Sequence, residues 1–161
     1  MSLLFNKKWK SGAGQPLSIK EINKKISTHL SRNDKLFIGS DSFISQKKVC
    51  FVTVVCLLTK NFGGKYFFYK EKIPSSVYNN LTNRITEEAR RSIELAEFFT
   101  EVFCLDPEQI ELHLDVSPSS AKEGTSKISD MLKGYVQGYG FRCKLKPHAW
   151  ASQSVADRHS K

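Results

Sequence analysis

The chain has no apolar run of the length that spans a bilayer, which excludes a transmembrane helix among its 161 residues. Its opening, MSLLFNKKWK, sets lysines after a short apolar start, the reverse of a secretory signal. A cytoplasmic protein with no membrane partner is therefore expected. It also lacks any CxxC pair. The spacings of Cys50, Cys56, Cys104 and Cys143 fit no zinc pattern, so reduced, buried thiols are the expectation. No internal repeat or low-complexity stretch occurs, and the length suits one domain. Acids are in short supply. Sixteen Asp and Glu stand against 25 Lys and Arg, a net charge of +9. That surplus favours polyanions, nucleic acid among them, and speeds their encounter.

What is present has a clear order. Residues 1–17 are polar and basic and carry KSGAGQP, so they read as a flexible or docked arm. Ser18 and Glu21 form a capping box, and Ile19, Ile22, Ile26 and Leu30 follow at helical spacing to about Ser31. KLFIGSDSF, VCFVTVVCLLT and KYFFYKEKI then read as three strands joined by the turns SQKK and NFGG, an antiparallel meander. A broad helical face runs from about Ser76 to Glu101, whose first part, up to Asn83, reads equally as a separate turn. QIELHLDVS is a fourth strand, SSAKEGTSKISDMLKGYVQGYG a helix closed by Gly138 and Gly140, FRCKLKP a short fifth strand, and ASQSVADRHSK a last helix. The expectation is an α/β domain over residues 18–161. It has a five-stranded mixed sheet, three strands antiparallel and two parallel, flanked by helices and preceded by an extra one.

Four carboxylates interrupt or end apolar patterns in this plan: Asp41, Glu88, Asp115 and Asp157. A carboxylate at such a place is costly unless compensated, and one shared divalent cation would compensate all four. Asp41 and Asp115 both end strands in this reading. A strand after a helical crossover runs parallel to its neighbour, which would align them with backbones roughly 4.8 Å apart. Either alone could be a turn residue or helix cap. At about 100° per residue, Glu88 falls roughly 60° from Ile85, toward the sheet, while Glu87, Glu94, Glu97 and Glu101 fall on the far side. An ion pair of Glu88 with Arg84 or Arg91 is the competing reading. Periodicity does not say which way Asp157 points, and a surface pair with Lys161 accounts for it equally well.

The order βββαβαβα, with acids on the first strand, the first crossover helix, the fourth strand and the last helix, resembles the ribonuclease H-like plan. More narrowly, FIGSDSF, RITEEARRS, HLDVS and KPHAWASQSVADRHSK resemble its YkuK-like branch. The resemblance covers roughly residues 18–161. It implies a nuclease that hydrolyses phosphodiester bonds of structured DNA or RNA with two Mg²⁺ or Mn²⁺ ions about 3.5–4 Å apart. By that resemblance Asp41 would bridge both ions, Asp115 would hold the nucleophile-side ion and Glu88 the leaving-group side. Asp157 would complete the second coordination sphere.

Two departures narrow this. Residue 43 is Phe, so the D-x-E opening of proofreading exonucleases is absent, and His148 stands nine residues before Asp157, too far for their general base. An endonuclease or junction resolvase remains open. Ser42, Lys146, His148, Trp150, Arg158 and Lys161 are the candidate substrate-binding residues. His148 would shuttle a proton and Trp150 stack on a base. A Trp150 that simply anchors the last helix, and a solvated basic tail, are the competing readings. The alternative function is a nucleic-acid-binding module with a vestigial site and no catalysis. The actin-like ATPases share this core but need two such lobes.

Overall fold

A computed structural model describes residues 3–59, 63–118 and 126–161. The segment before the first helix contributes β1 (Trp9–Ser11) and β2 (Pro16–Leu17). The Ser18 capping box then starts α1 (Ile19–Leu30), with the Glu21 N–H donating to Ser18 Oγ at 3.1 Å and the Ser18 N–H to the Glu21 carboxylate at 2.7 Å. The meander is β3 (Leu36–Ser45), β4 (Lys48–Thr59) and β5 (Gly63–Pro74). Asn80 caps the 22-residue α2 (Leu81–Val102), and β6 (Ile110–His113), α3 (Ser126–Gly138) and β7 (Arg142–Lys144) follow. The chain then winds as a π-helix over Ala151–Ala156 and closes as α4 (Asp157–Ser160). The SSAKEGT part of the sequence-read helix and part of the NFGG turn lie outside the described residues.

All strands join one sheet of order β2-β1-β5-β4-β3-β6-β7. The sheet therefore has seven strands rather than the five expected. The two extra strands come from the segment read as an arm. Trp9 is 1% exposed and packs edge-on against Tyr69, and β1 pairs antiparallel with β5, so burial of one indole holds a stretch too short to show period-2 alternation. The meander pairs antiparallel as expected, and β6 and β7 run parallel to β3.

The two faces of the sheet are unequal. One carries Leu36, Ile38, Val55, Leu57 and Phe67, and packs on Ile22 and Ile26 of α1 and Ile85, Ala89, Ile93, Ala96 and Phe99 of α2. Each large side chain buried there contributes roughly 1.5–3 kcal/mol. The other face carries Val52, Val54, Cys56 and Phe68 under Ala151 and Ala156. Burial pushes the Cys56 thiol up to about 12, so it is an inert core group. Cys104 departs from the expectation of buried thiols: it is exposed.

Gly39 on β3 makes the second face possible. A Cβ there would lie 2.6 Å from the Ser152 nitrogen and 2.8 Å from the Ala151 carbonyl carbon. The π-helical backbone thus rests directly on the strand. His113 of β6 fixes the same turn. Its Nδ1 accepts the Ala151 N–H at 3.0 Å, so the proton sits on Nε2, which lies 2.9 Å from Glu111 Oε1 and donates to it.

Helical phase fails at one acid. Glu87, expected to be solvated, is buried, and its carboxylate takes bonds from Arg90 at 2.7 Å and from Arg91 at 3.0 Å. Arg91 is itself buried, pairs with Glu71 and lies over the Phe51 ring. Pairing is what lets charged groups sit at positions that a periodicity argument reserves for solvent.

Candidate metal centre

Gly39 is the last β3 residue paired with β6, opposite His113. Beyond it β6 ends while β3 continues to Ser45, so Asp41 lies mid-strand and Asp115 two residues past its strand. Both were expected at strand ends. The parallel register still carries them to equivalent positions. The departing chain is held by backbone bonds from Leu114 N–H to Lys144 and from Lys146 N–H to Val116, at 2.9 and 3.0 Å. β3 is thereby left open on this side, and acids from both faces of the sheet sense one another around the gap.

Asp41 belongs to the face covered by the last helix. Its Oδ2 accepts the Ser160 hydroxyl at 2.8 Å. Burial pushes its carboxyl up to about 6; the Ser160 bond opposes this, and Asp115 and Asp157 add to it by repulsion. Glu88 of α2 stands on the other face and accepts the Ser42 hydroxyl at 2.5 Å. Burial pushes Glu88 up to about 8, against the Ser42 bond and Arg84, with repulsion from Asp41 and Asp115 adding. Glu88 and Asp115 line one crevice too tight to admit water. Asp41 and Asp115 are therefore the common members, with Glu88 on one side and Asp157 on the other.

Among the described residues, no three His, Cys, Asp or Glu side chains converge closely enough to hold one ion together. Each carboxylate has a lysine or serine partner, and the Asp41 and Asp157 side chains also come within hydrogen-bonding reach of each other. Asp115 Oδ1 lies 3.2 Å from Lys146 Nζ and Asp157 Oδ1 3.2 Å from Lys161 Nζ, while Asp41 and Glu88 take serine hydroxyls. The Lys146 contact is an ion pair without hydrogen-bond alignment, and Asp115 Oδ1 is buried with no hydrogen-bond partner among the described residues. An unsatisfied buried carboxylate oxygen in an all-oxygen set suits a hard cation such as Mg²⁺ or Mn²⁺.

A family model described as ribonuclease H-like matches residues 18–161, nearly the whole chain. The chain belongs to the ribonuclease H-like family. No curated protein and no solved structure gives a significant match. In this ribonuclease H-like domain, no helix among the described residues is long and apolar enough to cross a membrane.

The candidate substrate-binding residues fall in different places. Ser42 is committed to Glu88, Lys146 to Asp115 and Lys161 to Asp157. His148 and Arg158 are exposed. Trp150 is half-buried, its ring against Phe37 and His113 at centroid distances of 4.9 and 5.2 Å, which accords with an anchor for the last helix. His159 is held by Tyr66 at 2.8 Å and stacked on Phe68.

Sequence reasoning passed over Ser160 and Gly39, which with His113 seat the last helix on Asp41. Only Gly39 left a signal, a lone glycine inside a strand pattern, which marks close backbone approach.

Proposed function

We propose that this chain is a metal-dependent nuclease that hydrolyses phosphodiester bonds of structured DNA or RNA, of the YkuK-like branch of its family. The observation that carries this reading is the shared position of Asp41 and Asp115 between Glu88 and Asp157, with Asp41 and Glu88 raised first by burial and further by the neighbouring acids. Family membership favours nucleic-acid chemistry, and the net charge of +9 favours a polyanion. Asp41, Asp115 and Glu88 would hold the ions, with Asp157 beside Asp41. Two bound divalent ions supply an activated water and charge stabilisation at the leaving oxygen.

The protein's own groups do the rest. Ser160 and Ser42 hold Asp41 and Glu88 in place through hydrogen bonds to their carboxylates. Lys146 and Lys161 pair with Asp115 and Asp157, and would be available to phosphate if a cation took their place. The exposed His148 is available to carry a proton between the site and solvent.

The test is cleavage of junction, RNA–DNA hybrid and single-stranded substrates with Mg²⁺ or Mn²⁺, comparing wild type with Asp41→Asn. Activity that disappears in the variant supports the reading; activity unaffected by it sinks the reading.

One observation favours a second reading, a nucleic-acid-binding module with a vestigial site: each carboxylate already has a lysine or serine partner. Metal-independent binding unchanged by Asp115→Asn, with no turnover on any substrate, would support it.

A further inference from the structure

Beside Asp41, on the sheet face covered by the last helix, lies a cleft of about 440 Å³. Its lining includes Phe43, Lys48, Lys70, Lys72 and Lys161, and no carboxylate among the described residues. The sheet register explains the grouping. Phe43 stands opposite Cys50 and Cys50 opposite Lys72; Asp41 stands opposite Val52 and Val52 opposite Lys70. Lys70 and Lys72 therefore lie two strands away from Asp41 and Phe43, roughly 10 Å backbone to backbone. Phe43 follows Asp41 by two residues on the same strand and shares its face. Its ring is 40% exposed and packs on no other aromatic ring among the described residues. Lys48, Lys70 and Lys72 are exposed and make no ion pair among the described residues. Lys161 is tied to Asp157, and the Lys70 ammonium lies over the Phe68 ring, 6.0 Å from its centroid.

An open aromatic face beside a row of unpaired ammonium groups is the chemistry that grips an unpaired polynucleotide, one base on the ring and the neighbouring phosphates on the lysines. A paired base has its faces covered by its neighbours in the stack and offers none to Phe43. The cleft is large enough for a nucleoside.

We propose that this cleft binds an unpaired stretch of nucleic acid, one base stacked on Phe43 and the adjoining phosphates on Lys48, Lys70 and Lys72, and delivers it to the carboxylates. The proposal rests on the reading of those carboxylates as a phosphodiester site and names the part of the substrate that reaches them.

The experiment measures fluorescence anisotropy of a labelled oligothymidylate and of a fully paired hairpin with the same number of nucleotides, in EDTA so that no cutting occurs. Phe43→Ala weakens oligothymidylate binding about tenfold, whereas Phe43→Trp retains it. The double variant Lys70→Ala, Lys72→Ala lowers the salt slope by about 1.4. Lys24→Ala with Lys25→Ala, an equal charge loss at a separate basic cavity of about 550 Å³ on the other sheet face, is the control and leaves the slope nearer wild type. Wild type prefers the oligothymidylate to the hairpin. Unchanged affinity in Phe43→Ala, equal losses in the two lysine pairs, or a preference for the hairpin would each overturn the proposal.

Failure of the nuclease reading looks different. Wild type would then cut nothing in Mg²⁺ or Mn²⁺ while the Phe43 and lysine effects on binding remain. Conversely, cutting by wild type alongside unaltered binding in Phe43→Ala removes the cleft and keeps the nuclease.

Discussion

Ser160 donates its hydroxyl to Asp41 across 2.8 Å, which seats the last helix on the middle of β3. With the Gly39 and His113 contacts, this bond places Asp157, a turn earlier, close enough to Asp41 to add to its upward shift by repulsion. Replacing the hydroxyl leaves a buried carboxyl with one donor fewer. Ser160→Ala is expected to cost about 1–2 kcal/mol in denaturant unfolding and to move Asp41 higher still than about 6, read by carbon NMR of its carboxyl. An unchanged titration would show that the bond does not act on Asp41.

Gly39 gives a second handle on the same docking. Gly39→Ala must push a Cβ into the backbone of Ala151 and Ser152, which cannot move aside as a flexible side chain would. A loss of about 1–3 kcal/mol is expected, with a shift in Trp150 fluorescence as the π-helix lifts from Phe37 and His113. Wild-type stability and emission in this variant would contradict the close approach.

Much of this arrangement was legible beforehand, for reasons specific to each element. The capping box at Ser18, the β-branched run of β4 and the apolar face of α2 are local signals, and they predicted the elements that formed. The parallel relation of β3 to β6 followed from the intervening helix, and it brought Asp41 and Asp115 to matching positions although neither ends its strand. β1 and β2 were missed because their stability comes from Trp9 meeting Tyr69, a contact between distant segments. Glu87 was misjudged because Arg90 and Arg91 neutralise it in place. Asp157 could not be oriented from its own sequence because Ser160, Gly39 and His113 orient it from outside.

The buried acids predict how stability varies with pH. Asp41 and Glu88 titrate higher in the fold, at about 6 and about 8, than in the unfolded chain. The fold therefore holds their protons more tightly. Their contribution is complete below about pH 4 and is withdrawn as pH rises through about 6 and then about 8. In EDTA, unfolding free energy should fall on the order of a few kcal/mol between pH 5 and pH 9, roughly 1.4 kcal/mol for each tenfold change in proton affinity. Glu88→Gln, which cannot ionise, should flatten the upper part of that fall and be the more stable protein at pH 9. A wild-type profile that rises with pH over this interval would refute the assignment.

Mg²⁺ or Mn²⁺ should reverse this trend. A cation favours the ionised carboxylates, so its stabilising effect, read as a rise in Tm, is expected to be small at pH 5 and to grow toward pH 8. Equal shifts at both pH values, or equal shifts in Asp115→Asn, would mean that the ion acts elsewhere.

The claim on which the rest depends is that these four carboxylates are a divalent-cation site. A Mn²⁺ titration followed by electron paramagnetic resonance at pH 8, on wild type, Asp41→Asn and Asp115→Asn, tests it most directly. Saturable loss of the free Mn²⁺ signal is expected, with two ions per chain in wild type and weaker binding in both variants. No saturable binding in wild type, or binding identical in all three proteins, would contradict it.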